Sequence, residues 1–503
     1  MLTVGYDIGS SSIKAALYDV DSGKAVASGT YPRDEMKIDS PRPGWAEQNP
    51  ETWWDAIKNV TKEILSTSRA KAADISAIGI TYQMHGLVLV DKNKNVLRPS
   101  IIWCDSRAVT IGNKAFNEIG KEKCLRFLLN SPGNFTASKL RWVIENEPSI
   151  FKKVFRFMLP GDYIAMKLTG EIATTAEGLS EGIMWNFESE EPGYFLMRHF
   201  GIEESLVPDI VPIFGNQGSL SEEAADEFGL KKGIPVTYRA GDQPNNALSL
   251  NVLRPGEIAA TAGTSGVVYG VSDQIKFDKA QRVNTFAHVN HAKGRRRLGI
   301  LLCINGTGIS NSWIRKMIFD SSVAYKEMND AAEEIAIGSD GVSFLPFGNG
   351  AERMLTNLEV GSSFSGLNFN LHTRNHLLRS VLEGVAFSFY YGINIMKELA
   401  VDSKVIRAGM ANMFLSKIFR ETISTLSGAT IQLYNTDGAL GAAKGAAFGA
   451  GFHSSLDEAF KGLECLVTVE PDVMNVDKYK TAYDKWYNQL LINLQSFGVK
   501  NEA

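Results

Sequence analysis

Two copies of an α/β domain joined in one chain are predicted by three features of the sequence. Strand-like runs alternate with segments of helical periodicity, the pattern of the α/β class. A hairpin of two apolar runs around a small polar tip opens the chain, GYDIGSSSIKAALYD, and returns near its middle as EIAATAGTSGVVYGVS (257–272). One recurrence per half suggests a duplicated domain, not a many-repeat solenoid. Finally, 503 residues exceed what one core comfortably organises. The boundary is expected near residue 246, dividing 1–246 from 247–503.

The elements follow in order. LTVGYDIG, SIKAALYDV and KAVASGTYP are short β-patterned runs separated by Ser/Gly or Asp-Ser-Gly turns. A helix is expected after Asn49, a capping residue, with Pro50 in its first turn and Trp53, Ile57, Val60 and Ile64 on one face. ISAIGITYQMHGLVLVD is two apolar runs broken by the polar group Gln83-Met84-His85-Gly86. The chain to about residue 200 reads as mixed and mostly helical. IPVTYRAGDQPNNALSL then reads as buried strand, sharp turn and helix. In the second half the spacing predicts helices over 375–391, 414–426, 438–452 and 476–497.

Composition excludes several classes. The chain is 44% hydrophobic and 21% charged, ordinary for a soluble globular protein. A net charge of −4 offers no basic face for nucleic acid, and the isolated run Arg295-Arg296-Arg297 reads as a solvated hairpin tip. No leading apolar segment follows Met1, so no signal or transit peptide is read. No apolar run approaches the ~20 residues of a membrane span, and the small-residue stretch 438–451 is interrupted by Lys444. Cys104, Cys124, Cys303 and Cys465 are far apart with no CxxC pair, which reads as reduced thiols in a cytoplasmic protein without zinc. Neither GxxxxGK[ST] nor a GxGxxG after a strand is present.

The two hairpin tips carry the chemical interest. Small residues in a tight turn direct several backbone N–H groups into one concavity, a natural anion cradle. Ser10, Ser11 and Ser12 add hydroxyl donors, and Lys14 adds charge. Asp7 is placed to hold magnesium through water, since that ion prefers oxygen ligands. Gly263-Thr264-Ser265-Gly266 would form a second cradle facing the first. Either tip alone is equally a turn rich in turn formers; the pair, with Asp7 beside it, favours a polyphosphate. Asp242 ends an apolar strand with Gln243 beside it, where a carboxylate can take a proton from a substrate hydroxyl. An aspartate before Gln-Pro is also a good helix N-cap, and chemistry alone leaves the two readings open. Met84-His85 can line a sugar pocket, although a lone histidine after a strand is more often structural.

These residues resemble the FGGY carbohydrate kinases across essentially the whole chain. The family has the duplicated actin/hexokinase/Hsp70-like ATPase fold (ribonuclease H-like), with a cleft between its domains. GYDIGSSSIKAALYD is similar to the family's first phosphate hairpin and TAGTSGVV to its second. NFTASKLRWVIENEP (134–148) matches the first signature at Thr136, Lys139, Trp142, Glu145 and Asn146, with Asn134 departing from the usual opening residue. SFSGLNFNLHTRNHLLRSVLEGVAFS (363–388) matches the second through Gly366, Leu367, His376, Ser380 and Glu383. Within the family, 83–107 looks most like the xylulokinase branch, which implies that Met84 and His85 contact a ketose. The resemblance puts Asp242 at the catalytic aspartate, with Gln243 beside it. Its GDQ form is shared with glycerol kinases, whose Arg-Glu pair is replaced here by Met84-His85. On the nucleotide side the resemblance implies contacts from Gly308, Gly409, Asn412 and Met413. Ala408-Gly409-Met410-Ala411 stands where xylulokinases show a triple glycine, so nucleotide preference is left open.

The implied reaction is ATP-dependent, Mg²⁺-assisted phosphorylation of a ketopentose, D-xylulose to D-xylulose 5-phosphate. The alternatives are another ketose or polyol (L-xylulose, ribulose, glycerol) or an actin-fold ATPase that is no kinase. The expected partners are sugar and ATP, with no nucleic acid and no membrane. The oligomeric state, a homodimer included, is left open.

Overall fold

Residues 1–319 and 323–498 are described by a computed structural model. Two mixed sheets organise the chain. The first runs in the order Val236–Gly241, Ile75–Tyr82, Leu2–Ile8, Ile13–Asp19, Lys24–Tyr31. Its last three strands form the expected antiparallel meander, and the first two add in parallel. The second sheet has seven strands: Asn284–Ala287, Leu298–Ile304, Gly266–Ser272, Ile258–Ala262, Val405–Gly409, Thr430–Tyr434 and Cys465–Val469. Between its two edge strands the first sheet is repeated: three antiparallel strands, then two parallel ones. The recurrence read from the two hairpins thus extends to five strands.

Each copy ends with a helix that follows its last parallel strand, Asp242–Ser249 in the first and Gly438–Gly449 in the second. The later helix packs across the first sheet, not its own. Thr3 Oγ1 donates to the Ala443 carbonyl and Thr237 Oγ1 to the Ala446 carbonyl, both at 2.8 Å. The approach is close enough to require glycine: a Cβ on Gly5 or Gly79 would lie 2.1 Å from the Ala439 or Ala442 carbonyl oxygen. Asp242–Ser249 reaches the second sheet in turn, packing on Ile258–Ala262 and Gly266–Ser272. The two helices also meet each other, with Asn245 Nδ2 donating to the Gly438 carbonyl at 2.9 Å.

Local sequence rules account for most boundaries. Asn49 caps Pro50–Thr67 by accepting the Glu51 N–H, and Trp53, Ile57, Val60 and Ile64 are buried as their spacing requires. The helix expected over 375–391 continues to Glu398, because Ile393, Ile395 and Met396 keep the buried face going. The expected 414–426 segment divides into a short 3₁₀ turn, Asn412–Leu415, and a helix, Lys417–Ser427, capped by Ser416. No sharp turn separates Val236–Gly241 from the helix at Asp242; the strand runs directly into it. Arg295 is exposed at a tip closed by the Ala292–Arg295 bridge, while Arg296 and Arg297 are half-buried. The four cysteines are free. Among the described residues, no helix is long and apolar enough to cross a membrane.

Candidate active site

The first hairpin places Asp7 directly opposite Lys14. Burial is the main influence on Asp7 and raises its pKa to about 6; Lys14 opposes this and Asp437 adds to it. Asp437 precedes the helix Gly438–Gly449, whose first residue presses on the hairpin: a Cβ on Gly438 would lie 2.6 Å from Asp7 Oδ2. A cavity of about 320 Å³ opens there, lined by Asp7, Lys14, Gly263, Ser265, Gly409 and Asp437 among others. Both hairpins therefore face one space, as the opposed-cradle reading expects. Ser10, Ser11 and Ser12 form the first tip but do not line this cavity. Trp103, half exposed, donates its indole N–H to Ser10 Oγ at 3.3 Å.

The second hairpin is held by a helix start. Gly308 N–H donates to the Gly263 carbonyl at 2.9 Å and Ile309 N–H to the Thr264 carbonyl at 3.1 Å. A Cβ at residue 308 would come 2.4 Å from that Gly263 oxygen, so glycine is needed for the docking. Next to it lies a cavity of about 430 Å³ lined by Gly263, Thr264, Gly308, Asn412 and Met413. It shares Ala262, Gly263 and Asn412 with the cavity at Asp7, so the two adjoin. The space suits a purine base at one end and its phosphates at the other.

Asp242 sits where a strand becomes a helix. Gly241 occupies the cap position and Asp242 is the first helical residue, so the N-cap alternative does not describe it. Burial, followed by the charge of Asp7, raises its pKa to about 7; hydrogen bonds from Gln243 oppose the rise. Met84 and His85 approach from the end of strand Ile75–Tyr82. A Cβ on Gly241 would lie 2.7 Å from Met84 Cγ, which puts the predicted pair beside the predicted base. His85 has a left-handed backbone (φ 63°) and packs between Phe135 and Phe286, with ring centroids at 4.8 and 5.2 Å. Burial lowers its pKa to about 3, so the ring is neutral.

Three residues that the sequence reading did not assign to the site hold this arrangement. The fully buried Lys139 donates to the His85 carbonyl at 2.8 Å and to the Ile102 carbonyl at 2.9 Å. Glu177 and Glu181, one turn apart on Ala176–Glu181, crowd against Gly241. Glu177 Oε2 accepts the Gly241 N–H at 3.3 Å, and Glu181 Oε1 accepts the His85 N–H at 3.4 Å. Burial raises Glu177 to about 8 and lifts Glu181 well above the usual carboxylate range, with Asp242 contributing to both. With both raised, the like charge beside Asp242 is reduced near neutral pH. Two glutamates four apart in the otherwise uncharged stretch 172–187 were the available signal.

Known proteins bear on this geometry. The N-terminal domain of the FGGY family of carbohydrate kinases matches residues 2–249. The chain is 30% identical to the xylulose kinase of Bacillus subtilis (strain 168), over 96% of each protein. It is 28% identical to the xylulose kinase of Escherichia coli (strain K12), over 97% of this chain and 99% of that one. The crystal structure of xylulose kinase from Rhodospirillum rubrum superposes with a TM-score of 0.88 at 27% identity, covering 99% of both chains. Matched from end to end in sequence and in fold, this chain belongs to the FGGY family of carbohydrate kinases.

Proposed function

We propose that this ATP-using carbohydrate kinase phosphorylates D-xylulose on its C5 hydroxyl, with Asp242 as the base. The observation that carries the reading is a carboxylate with a pKa of about 7, set between Met84–His85 and the two phosphate hairpins. The sugar lies against Met84 and His85, whose neutral ring offers a hydrogen bond without charge. Gln243 contributes a further polar contact. The sugar oxygen attacks the γ-phosphorus as its proton passes to Asp242, and the bond from phosphorus to the bridging oxygen of ADP breaks. In a loose phosphoryl-transfer transition state the nucleophile needs little activation, so holding that hydroxyl in line matters as much as basicity.

The nucleotide lies along the path from Asn412, Met413, Gly308 and Gly409 to Thr264, Ser265 and Lys14. Ser10, Ser11 and Ser12, outside that cavity, would meet the transferring group only once the lobes close. The residues beside Asp7 fit magnesium. Asp7, Asp437 and Asn246 offer only oxygen donors, and no described group of three or more His, Cys, Asp or Glu forms a closed protein cage. That donor set suits an ion that keeps most of its waters and shares phosphate oxygens. Bound there, Mg²⁺ would neutralise charge on the β- and γ-phosphates. The halves that meet near residue 246 act as lobes closing on the substrates, which excludes competing water.

The test is ADP release over a panel of pentuloses, hexuloses and polyols, with the phosphorylated carbon located by NMR. D-xylulose should give the highest kcat/KM and a 5-phosphate. A higher value for another ketose, or for glycerol, overturns the substrate assignment. Turnover indifferent to every sugar overturns the kinase reading itself.

A further inference from the structure

A third cavity, of about 500 Å³, shares no lining residue with the two described above. Its floor is apolar, with Ile213, Phe214 and Phe448, and Lys293 and Arg295 are exposed at its rim. Trp185 and His291 also line it and are only 6% and 8% exposed. Trp185 Nε1, His291 Nε2 and Asn290 Oδ1, all in the lining, are buried without a hydrogen-bond partner among the described residues. His291 Nδ1 accepts the Arg297 N–H at 3.2 Å, so in the neutral ring the proton is on Nε2. The two ring nitrogens are therefore donors, and the Asn290 oxygen is an acceptor. The one carboxylate in the lining, Glu190, accepts the Gly294 N–H at 3.3 Å and so fixes the basic tip at the rim.

Two unpaired donors and one unpaired acceptor inside, cations at the rim and an apolar floor call for an anion that also carries a hydroxyl. We propose that this cavity is a second ligand site, taking a small organic oxyanion, either a phosphate monoester or a carboxylate. Its charge meets Lys293 and Arg295, and its oxygens satisfy the Trp185 and His291 N–H groups after small side-chain rotations. The site is connected to the reaction centre. Ala176 lines the cavity, and the helix it begins carries Glu177 and Glu181 against Gly241. Ser180 of the same helix accepts the Ala287 N–H at 2.9 Å, four residues before His291.

The experiment is calorimetric titration of the full-length protein with inorganic phosphate, ribose 5-phosphate and malate. It uses the wild type, the double variant Lys293→Ala/Arg295→Ala and, separately, Trp185→Phe. The double variant changes only exposed side chains, so it keeps the test informative if Trp185→Phe fails to fold. At least one probe should bind the wild type, and losing charged partners should weaken it about tenfold. Without added anion, kcat and both KM values of the double variant should equal those of the wild type. Preference for ribose 5-phosphate over malate would identify a phosphate ester, and the reverse a carboxylate. A phosphate ester bound at the kinase's own hairpins is untouched by the double variant, so unchanged affinity there overturns the proposal. Absence of binding by all three probes at millimolar concentration does the same.

Discussion

Replacing Asp242 by asparagine removes the proton acceptor while keeping the size and most of the polarity of the side chain. The structure sets what to expect. A general base contributes about 10²–10⁴-fold, so kcat/KM for sugar should fall by about that factor, or about 3–5 kcal/mol of transition-state stabilisation. KM for the nucleotide should stay within about threefold, since Asp242 does not line the nucleotide cavity. The wild-type pH profile supplies an independent check. Burial and the charge of Asp7 raise Asp242 to about 7, and the base acts only when ionised. About a tenth is competent at pH 6 and about nine tenths at pH 8, so kcat/KM should climb roughly tenfold between them and then level. The assay is coupled ADP release at saturating ATP over that range. A variant within about fivefold of wild type, or a flat wild-type profile, would refute Asp242 as the base.

Other perturbations probe the supports. Glu177 has its pKa raised by burial from 4.5 to about 8, so its contribution to stability is complete below pH 4.5 and lost as pH rises to about 8. Glu177→Gln, which keeps an acceptor for the Gly241 N–H, should match wild-type Tm near the lower limit. It should exceed the wild type increasingly up to the higher limit, as scanning calorimetry would show; a pH-independent gap refutes the reasoning. Lys139→Met leaves the His85 carbonyl without its buried donor, at about 1–3 kcal/mol, while the Ile102 carbonyl keeps the Asp105 N–H at 3.2 Å. KM for sugar should rise several-fold with KM for ATP unchanged, and a reverse split would remove Lys139 from the support of His85. Gly308→Ala forces a Cβ to within 2.4 Å of the Gly263 carbonyl, an overpacking worth about 1–3 kcal/mol. Initial-rate kinetics should show a higher KM for ATP with the sugar KM preserved.

Contiguous features were the legible ones. The hairpins, the helix after Asn49 and the strand-to-helix junction at Asp242 all follow from neighbours in sequence, and the structure places each nearly where the pattern does. Met84, His85 and Asp7 could be proposed for the site because a motif surrounds them. What holds them was not legible, since Glu177, Glu181 and Lys139 come from distant segments and act by meeting Gly241 and His85 in space. The second signature shows the converse. Glu383 accepts from Arg379 at 2.7 Å and from Gly338 N–H at 3.1 Å, far inside the second core. Glu383 and its partners serve the packing of the second core. The packing of Gly438–Gly449 on the first sheet was also invisible, because an Ala/Gly-rich helix announces close approach but not its partner.

That exchange of helices has a consequence for synthesis on the ribosome. The last strand of the first sheet, Val236–Gly241, emerges roughly 200 residues before the helix that covers it, which at 5–20 residues per second is a delay of about 10–40 s. Through that interval Gly5, Gly79 and Thr237 belong to a bare face. The first half is therefore a natural client for chaperones, and a message truncated before codon 438 yields a product with an open sheet in place of a finished domain.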